Sequence, residues 1–98
     1  MKEIQIARVY MLESEHHLER VLKLLHDEIK MHHVTVFRGV EGFEKGGEIH
    51  TSKLLSLSLS LPLVVEFFDT PDKVAKALDP IKTIIENCHI VILNAQLK

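Results

Sequence analysis

The fold is decided by the stretch Leu61-Pro62-Leu63-Val64-Val65-Glu66-Phe67-Phe68-Asp69-Thr70-Pro71-Asp72, which joins a strand to the start of a helix. Leucine, valine and phenylalanine keep one parity from position 55 to position 67, with serines on the opposite parity at 56, 58 and 60. This alternation is typical of a strand with one face against a core. Pro62 lacks an N–H group, so we expect the strand to be bent or bulged there, or paired on one side only.

Thr70 follows this strand and can cap a helix that has a proline and an acid in its first turn. We expect that helix to kink or break near Asp79, because Pro80 cannot donate an N–H inside it. Apolar periodicity predicts four further elements: a strand over 4–12, a helix over about 15–31 with Ser14 as its cap, a strand over 33–38 and a last strand over 89–97. The order βαββαβ predicts an α+β, ferredoxin-like fold, with an antiparallel four-stranded sheet and both helices on one face.

The other face of this sheet is predicted to stay uncovered. The first, third and last strands carry apolar residues on both parities, so the open face would expose a large hydrophobic patch. A lone soluble monomer rarely tolerates such a patch. We therefore expect self-association through the sheet.

Composition narrows the class of protein. The 98 residues, 46% hydrophobic and 27% charged, are expected to form one soluble domain over 1–98, and a formal net charge of −2 argues against general nucleic-acid binding. No apolar run is long enough to insert in a membrane and the first residues do not form a signal-peptide core, so we expect a cytoplasmic protein. The lone Cys88 excludes an internal disulfide scaffold and a thiolate zinc site, and no nucleophile has a recognisable base, so we predict a non-enzymatic protein without a resident cofactor.

A long connection over about 39–53 separates strands two and three and contains all four glycines. Loops of this length in small domains are usually functional. Glycines allow main-chain N–H groups to approach a ligand, and Lys45, His50 and Lys53 add cationic or hydrogen-bonding groups. The connection therefore predicts capture of a small anion or docking of a partner.

Three segments in order, 38–43, 49–55 and 61–69, resemble the small PII-like proteins of the DUF190 family. The resemblance covers nearly the whole chain and implies a homotrimer whose sheets line a central barrel-like space. It implies that an adenine nucleotide or another small anionic effector binds in inter-subunit clefts at the base of the loop. The ligand-binding residues implied are Arg38, Gly39, Gly42, His50, Thr51, Ser52 and Lys53. The partner-facing residues implied, which would contact a protein or a membrane transporter, are Phe43, Glu44, Lys45, Gly46 and Gly47.

Two departures from PII proteins limit this resemblance. The only tyrosine, Tyr10, lies in the first strand, so the loop has no site for nucleotidyl modification. Residues 86–89 join the second helix directly to the last strand, where PII proteins carry a phosphate-binding loop. The triphosphate grip of PII proteins therefore has no counterpart in this sequence.

Two other functions stay open alongside the effector-binding hypothesis. Seven histidines allow a CutA-like trimer that binds metal through its loop or between subunits, although we interpret the pairs at 16–17 and 32–33 as solvated and predict no metal ligands. The other alternative is a structural adaptor that has no small ligand and whose loop docks on a partner.

Overall fold

The computed structural model of the protein describes residues 2–51, 60–86 and 88–98. The predicted βαββαβ order is confirmed, and the bounds of the last strand and of the strand after the first helix are as expected. The elements are β1 (Lys2–Leu12), a 3-10 turn (Glu13–Glu15), α1 (Leu18–Lys23) continued by a π-helical segment (Leu24–Ile29), β2 (His33–Arg38), β3 (Glu41–Gly42), β4 (His50–Thr51), β5 (Pro62–Asp69), α2 (Pro71–Ile84) and β6 (His89–Leu97).

The main sheet has the strand order β2-β5-β1-β6, and every neighbouring pair is antiparallel. The register is regular from Gln5↔Asp69 to Leu12↔Pro62, so β5 contains no bulge opposite β1. α1, its π-helical continuation and α2 pack together on one face of the sheet. This is the ferredoxin-like architecture expected from the sequence.

The core lies between this sheet face and the helices. Alternate residues of β1 and β5 point into it, and the helices add residues at spacings of three and four. Full burial of each large side chain contributes about 1.5–3 kcal/mol to folding. The core members that are completely buried are Ala7, Val9, Val21, Leu25, Val65, Phe67, Val74, Ala77 and Ile81.

The first helix begins later than expected. Residues Glu13–Glu15 form a 3-10 turn, because the Glu15 carboxylate accepts the N–H of Leu12 at 2.9 Å and the N–H of Glu13 donates to the carbonyl of Leu61 at 2.8 Å. His16 then adopts a left-handed conformation (φ 59°), which ends the turn. Ser14 consequently does not cap α1, and its hydroxyl contacts that of Ser60 at 2.7 Å instead.

Of the kink or break expected near Asp79, the break is wrong, because α2 continues from Pro71 through Pro80 to Ile84. Val74, Ala77 and Ile81 are fully buried on both sides of the proline, and this packing holds the helix together where one backbone hydrogen bond is missing. The hydroxyl of Thr83 also donates to the carbonyl of Asp79 at 3.1 Å.

Pro62 is the first residue of β5 and occupies the position where a strand tolerates a missing N–H. It pairs with Leu12 of β1, whereas the ladder with β2 ends one residue later at Leu63↔Arg38. The Pro62 carbonyl nevertheless accepts the N–H of Gly39, just after β2, at 2.7 Å, so Pro62 is attached on both sides and the register with β1 shows no bulge there. The earlier part of the predicted strand, over 55–59, lies outside the described residues.

Asp69 connects three elements at the opposite end of β5. Its Oδ1 accepts the N–H of Thr70 at 2.7 Å and its Oδ2 accepts the N–H of His32 at 2.9 Å, while Lys73 Nζ lies 3.7 Å from Oδ2. Burial opposes ionisation of this carboxyl, but the two N–H donors and Lys73 outweigh it and lower the pKa of Asp69 below its usual 3.8. Thr70 is the N-cap residue of α2, as expected, but its hydroxyl makes no capping hydrogen bond.

The sheet face away from the helices carries exposed apolar side chains, as the sequence predicts. Because residues of one parity share a face, Tyr10, Val64, Phe37 and Val91 lie together there, on four adjacent strands. Phe37 is 51% exposed and Val91 43% exposed. Among the described residues, no helix is long and apolar enough to cross a membrane.

Candidate functional site

A cavity of about 470 Å³ lies at the end of the sheet where β1 ends and β5 and β6 begin. Its volume is within the range of small-molecule sites. Apolar residues from β1, from the start of β5 and from the end of α2 line it, together with residues of the connection between β2 and β5. The apolar lining residues are Tyr10, Met11, Leu12, Phe43, Pro62, Leu63, Val64 and Ile85.

The connection between β2 and β5 is partly regular, which the sequence did not predict. β3 and β4 pair as a short antiparallel ribbon with the register Glu41↔Thr51 and Gly42↔His50. Beyond β3 the N–H of Gly47 donates to the carbonyl of Glu44 at 2.8 Å, which closes a turn. Gly46, with φ 80°, occupies the position in this turn that requires a left-handed residue. Lys45 and Gly46 therefore form a tip beyond the cavity lining.

Gly39 and Gly42 set how closely the connection approaches β5. A Cβ atom on Gly39 would lie 2.9 Å from Pro62 Cγ and 3.3 Å from the Pro62 carbonyl oxygen, and one on Gly42 would lie 3.3 Å from the same Cγ. The N–H of Gly39 donates to the Pro62 carbonyl at 2.7 Å. Both glycines line the cavity, but the N–H of Gly39 is used in attaching the loop to the sheet.

The other residues implied by the resemblance do not all lie at the cavity. Phe43, Glu44 and Gly47 line the cavity. Arg38 is not among the described lining residues, because its guanidinium turns to Glu13 and its Nε donates to Glu13 Oε2 at 2.7 Å. His50 and Thr51 form β4, of which the backbone is described. Ser52 and Lys53 lie outside the described residues.

Acidic side chains are frequent around the cavity. Five glutamates are among its described lining residues: Glu15, Glu41, Glu44, Glu48 and Glu86. Glu15 and Glu86 come from the 3-10 turn and the end of α2, far from the loop in sequence, so the sequence analysis did not include them. Within the described ranges, histidine, cysteine and acidic side chains form no group of three or more that could hold a metal ion.

Two further residues join the cavity to the start of β6. Cys88 lines the cavity, and partial burial raises the pKa of its thiol above 9.0. Beside it His89 Nδ1 lies 3.2 Å from Glu44 Oε1, which connects the loop to the start of β6. Both side chains of this pair are about two-thirds exposed or more, so the contact contributes little to stability.

Solved structures with the same fold include regulatory and metal-tolerance proteins. The chain is similar to CPII, a nitrogen regulatory PII-like protein from Thiomonas intermedia K12 solved with ADP, AMP and bicarbonate, with a TM-score of 0.77, 13% identity and coverage of 97% of this chain and 88% of that one. It is also similar to the divalent ion tolerance protein CutA1 from Ehrlichia chaffeensis, with a TM-score of 0.70, 17% identity and coverage of 100% and 86%. At these identities the similarity shows the PII-like, ferredoxin-like fold.

Sequence comparison gives a more specific result. The chain is 31% identical over 90 residues to a UPF0166 protein of Aquifex aeolicus strain VF5, which is 92% of this chain and 91% of that protein. The family model of DUF190, described as Uncharacterized ACR, COG1993, matches residues 4–97. The match covers almost the whole length, from β1 to β6, and includes the three segments that carry the resemblance, 38–43, 49–55 and 61–69. The chain therefore belongs to the DUF190 family.

Proposed function

We propose that this protein is a non-enzymatic, cytoplasmic regulator that binds a small anionic effector, of which adenine nucleotides are the leading class, at the base of the 39–53 loop. The observation that carries the proposal is the cavity itself, because its lining comes both from the sheet end and from the loop. A ligand in the cavity would therefore contact the sheet and the loop at the same time. CPII, which has the same fold, was solved with ADP, AMP and bicarbonate.

The lining suits the base of a nucleotide better than its phosphates. Tyr10 and Phe43 offer aromatic rings, and Met11, Leu63 and Ile85 offer apolar contacts. Aromatic stacking contributes about 0.5–1.5 kcal/mol beyond the burial of area. The five glutamates oppose an uncompensated phosphate, so phosphates should enter with a cation or lie toward the basic loop residue Lys45.

Calorimetric titration with ADP, AMP and adenosine, each with and without Mg²⁺, tests the proposal. Binding should protect the 39–53 backbone from hydrogen exchange, because ligand contacts favour one loop state. Phe43→Ala should weaken binding about tenfold, through loss of stacking. Val40→Ala is the matched control, since Val40 is similarly exposed but is not among the described lining residues, and its affinity should not change.

Effector binding would be contradicted if these nucleotides and a panel of anionic metabolites gave no heat of binding in calorimetry and no change in hydrogen exchange of the loop. A partner protein or transporter that still binds without ligand, and is lost on deletion of residues 40–48, would favour the adaptor function instead.

The proposed regulator is a homotrimer formed through the open sheet face. The exposed apolar residues on this face support that assembly, since burial of each 100 Å² of apolar surface contributes about 2.5 kcal/mol before the costs of association. Sedimentation equilibrium at micromolar concentration should give three times the 11.2 kDa of one chain. A species of 11.2 kDa would contradict the trimer.

A further inference from the structure

The described lining of the cavity is acidic. It includes five glutamates, and none of the described lining residues is lysine, arginine or histidine. A phosphate or carboxylate group that enters beside these glutamates is repelled unless a positive charge lies close by. The basic groups just outside the lining therefore influence which ligand charge the cavity accepts.

One such group is His89, at the start of β6. Its Nδ1 lies 3.2 Å from Oε1 of Glu44, which is one of the five glutamates of the lining. Nδ1 must carry a hydrogen to donate to this carboxylate, and a protonated imidazole carries a hydrogen on both nitrogens. Histidine is the side chain that ordinarily changes its charge between about pH 5 and 8. The contact with Glu44 therefore holds a group of variable charge beside the cavity lining.

The other titratable groups described around this contact come from several parts of the fold. They are Glu48 of the loop, Tyr10 of β1, Glu15 of the 3-10 turn, Lys82 of α2, and Glu86 and Cys88 just before β6. Tyr10 is the cross-strand partner of His89, and Lys82 lies close enough to Cys88 to act electrostatically on its thiol. Three of these six groups are carboxylates and one is a cation. Protonation of His89 therefore adds positive charge to surroundings that are mostly acidic or neutral.

We propose that protonation of His89 adapts the cavity to an anionic ligand, so that the protein binds such a ligand more tightly at lower pH. The inference rests on the proposed function and adds a pH-dependent control of the same site. The charged imidazole offsets one carboxylate of the lining and attracts a phosphate group directly. A ligand without charge gains nothing from this change, so His89 sets the preference between charged and neutral forms of one ligand.

Calorimetric titration with AMP and with adenosine, without Mg²⁺, at about pH 8 and about pH 6, tests the proposal. AMP itself takes up protons in this range, so the unchanged protein is compared with His89→Gln at each pH. From the higher to the lower pH, the change in AMP affinity should be more favourable in the unchanged protein by about two- to fivefold, the size expected for exposed charges. The affinity for adenosine should change equally in the two proteins.

Two further variants separate charge from other effects. His89→Lys keeps a positive charge at both pH values, so it should bind AMP about two- to fivefold more tightly than His89→Gln even at about pH 8. His26→Gln is the matched control, because His26 Nδ1 also contacts a carboxylate oxygen, Oδ1 of Asp27, at 2.6 Å but His26 is not among the described lining residues. Its replacement should leave AMP binding unchanged at both pH values.

Circular dichroism establishes that each variant is folded, and His89→Asn replaces His89→Gln if the latter does not fold. The same pH dependence of AMP binding with and without His89, or an equal gain for adenosine, would overturn the role of His89 and leave effector binding intact. A His89→Lys variant that binds AMP no more tightly than His89→Gln at about pH 8 would overturn it too. No heat with either ligand at either pH would instead contradict nucleotide binding itself.

Discussion

Asp69→Asn should strongly destabilise the fold, although it changes only one atom of a side chain. The two carboxylate oxygens of Asp69 serve different donors, because Oδ1 accepts the N–H of Thr70 and Oδ2 accepts the N–H of His32. The side chain is 9% exposed, so water cannot replace a lost partner easily. An asparagine has one acceptor oxygen, and whichever way its amide turns, its NH₂ group faces a backbone N–H.

The magnitude follows from these contacts. A hydrogen bond to a charged group contributes about 1.5–3 kcal/mol, and a buried donor left without an acceptor costs about 1–3 kcal/mol. One such bond is lost and the other loses its charge assistance, so the free energy of unfolding should fall by about 2–3 kcal/mol. With a urea slope of about 1–1.5 kcal/mol/M for a chain of this size, the unfolding midpoint should fall by about 2 M.

The pH dependence gives an independent check of this carboxylate. The pKa of Asp69 is lowered in the folded state, so its ionised form stabilises the protein above the unfolded value of 3.8. That contribution is lost as the pH falls below 3.8 and through the folded pKa. The difference in unfolding free energy between the unchanged protein and Asp69→Asn should therefore shrink from about pH 7 to about pH 3.

Urea unfolding followed by circular dichroism, at one protein concentration, measures both effects. Asp79→Asn is the control, since Asp79 is exposed on α2 and its replacement should shift the midpoint by less than about 0.5 M. A midpoint for Asp69→Asn within that range, or a difference that does not change with pH, would refute the account of Asp69 as the link between β5, α2 and the segment before β2.

Three other substitutions and one chemical reaction test the loop, α2 and the cavity. Gly39→Ala should lower the unfolding free energy by about 1–3 kcal/mol, because its Cβ would approach the ring and carbonyl of Pro62. Gly46→Ala should lower it by about 1–2 kcal/mol, because alanine disfavours the left-handed conformation of this residue. Chemical denaturation measures both changes, and a variant as stable as the unchanged protein would contradict the close approach to Pro62 or the turn at Gly46. Pro80→Ala should raise the thermal midpoint by several degrees, because it supplies the missing N–H inside α2, and an unchanged or lower midpoint would mean that the proline is fully accommodated. Cys88 should react with a thiol reagent more slowly at about pH 7 than an unfolded cysteine, since burial raises its pKa, and the rate should rise in urea; equal rates in the folded and unfolded protein would contradict its burial.

Local residue preferences were enough to predict β2 and β6. The runs over 33–38 and 89–97 are rich in β-branched residues, and the first of them ends at Gly39, so both strands have the expected bounds. The start of α1 could not be predicted in the same way. The 3-10 turn that ends at His16 depends on two hydrogen bonds, from the N–H of Leu12 to the Glu15 carboxylate and from the N–H of Glu13 to the Leu61 carbonyl. The continuity of α2 through Pro80 likewise depends on packing against the sheet.

The cavity was predictable only where it coincides with the loop. The glycines marked the base of the loop, but the sequence suggested that their N–H groups would face a ligand, whereas the N–H of Gly39 attaches the loop to Pro62. Glu15 and Glu86 enter the lining only because β1 and α2 both end beside the loop. Their contribution depends on topology, which no local pattern encodes.

The attachment at Pro62 determines which part of the loop can respond to a ligand. The N–H of Gly39 donates to the Pro62 carbonyl, and a Cβ on Gly39 or Gly42 would approach the Pro62 ring, so the loop base should stay in place in any regulatory change. Farther out, the described contact with β6 is the exposed Glu44–His89 pair, which contributes about 0–1 kcal/mol. A switch from about 1:99 to 99:1 between two loop states requires about 5.5 kcal/mol of differential ligand affinity. In the proposed mechanism most of that difference must come from ligand contacts with Phe43 and its neighbours, which is why Phe43→Ala should reduce the loop response as well as the affinity.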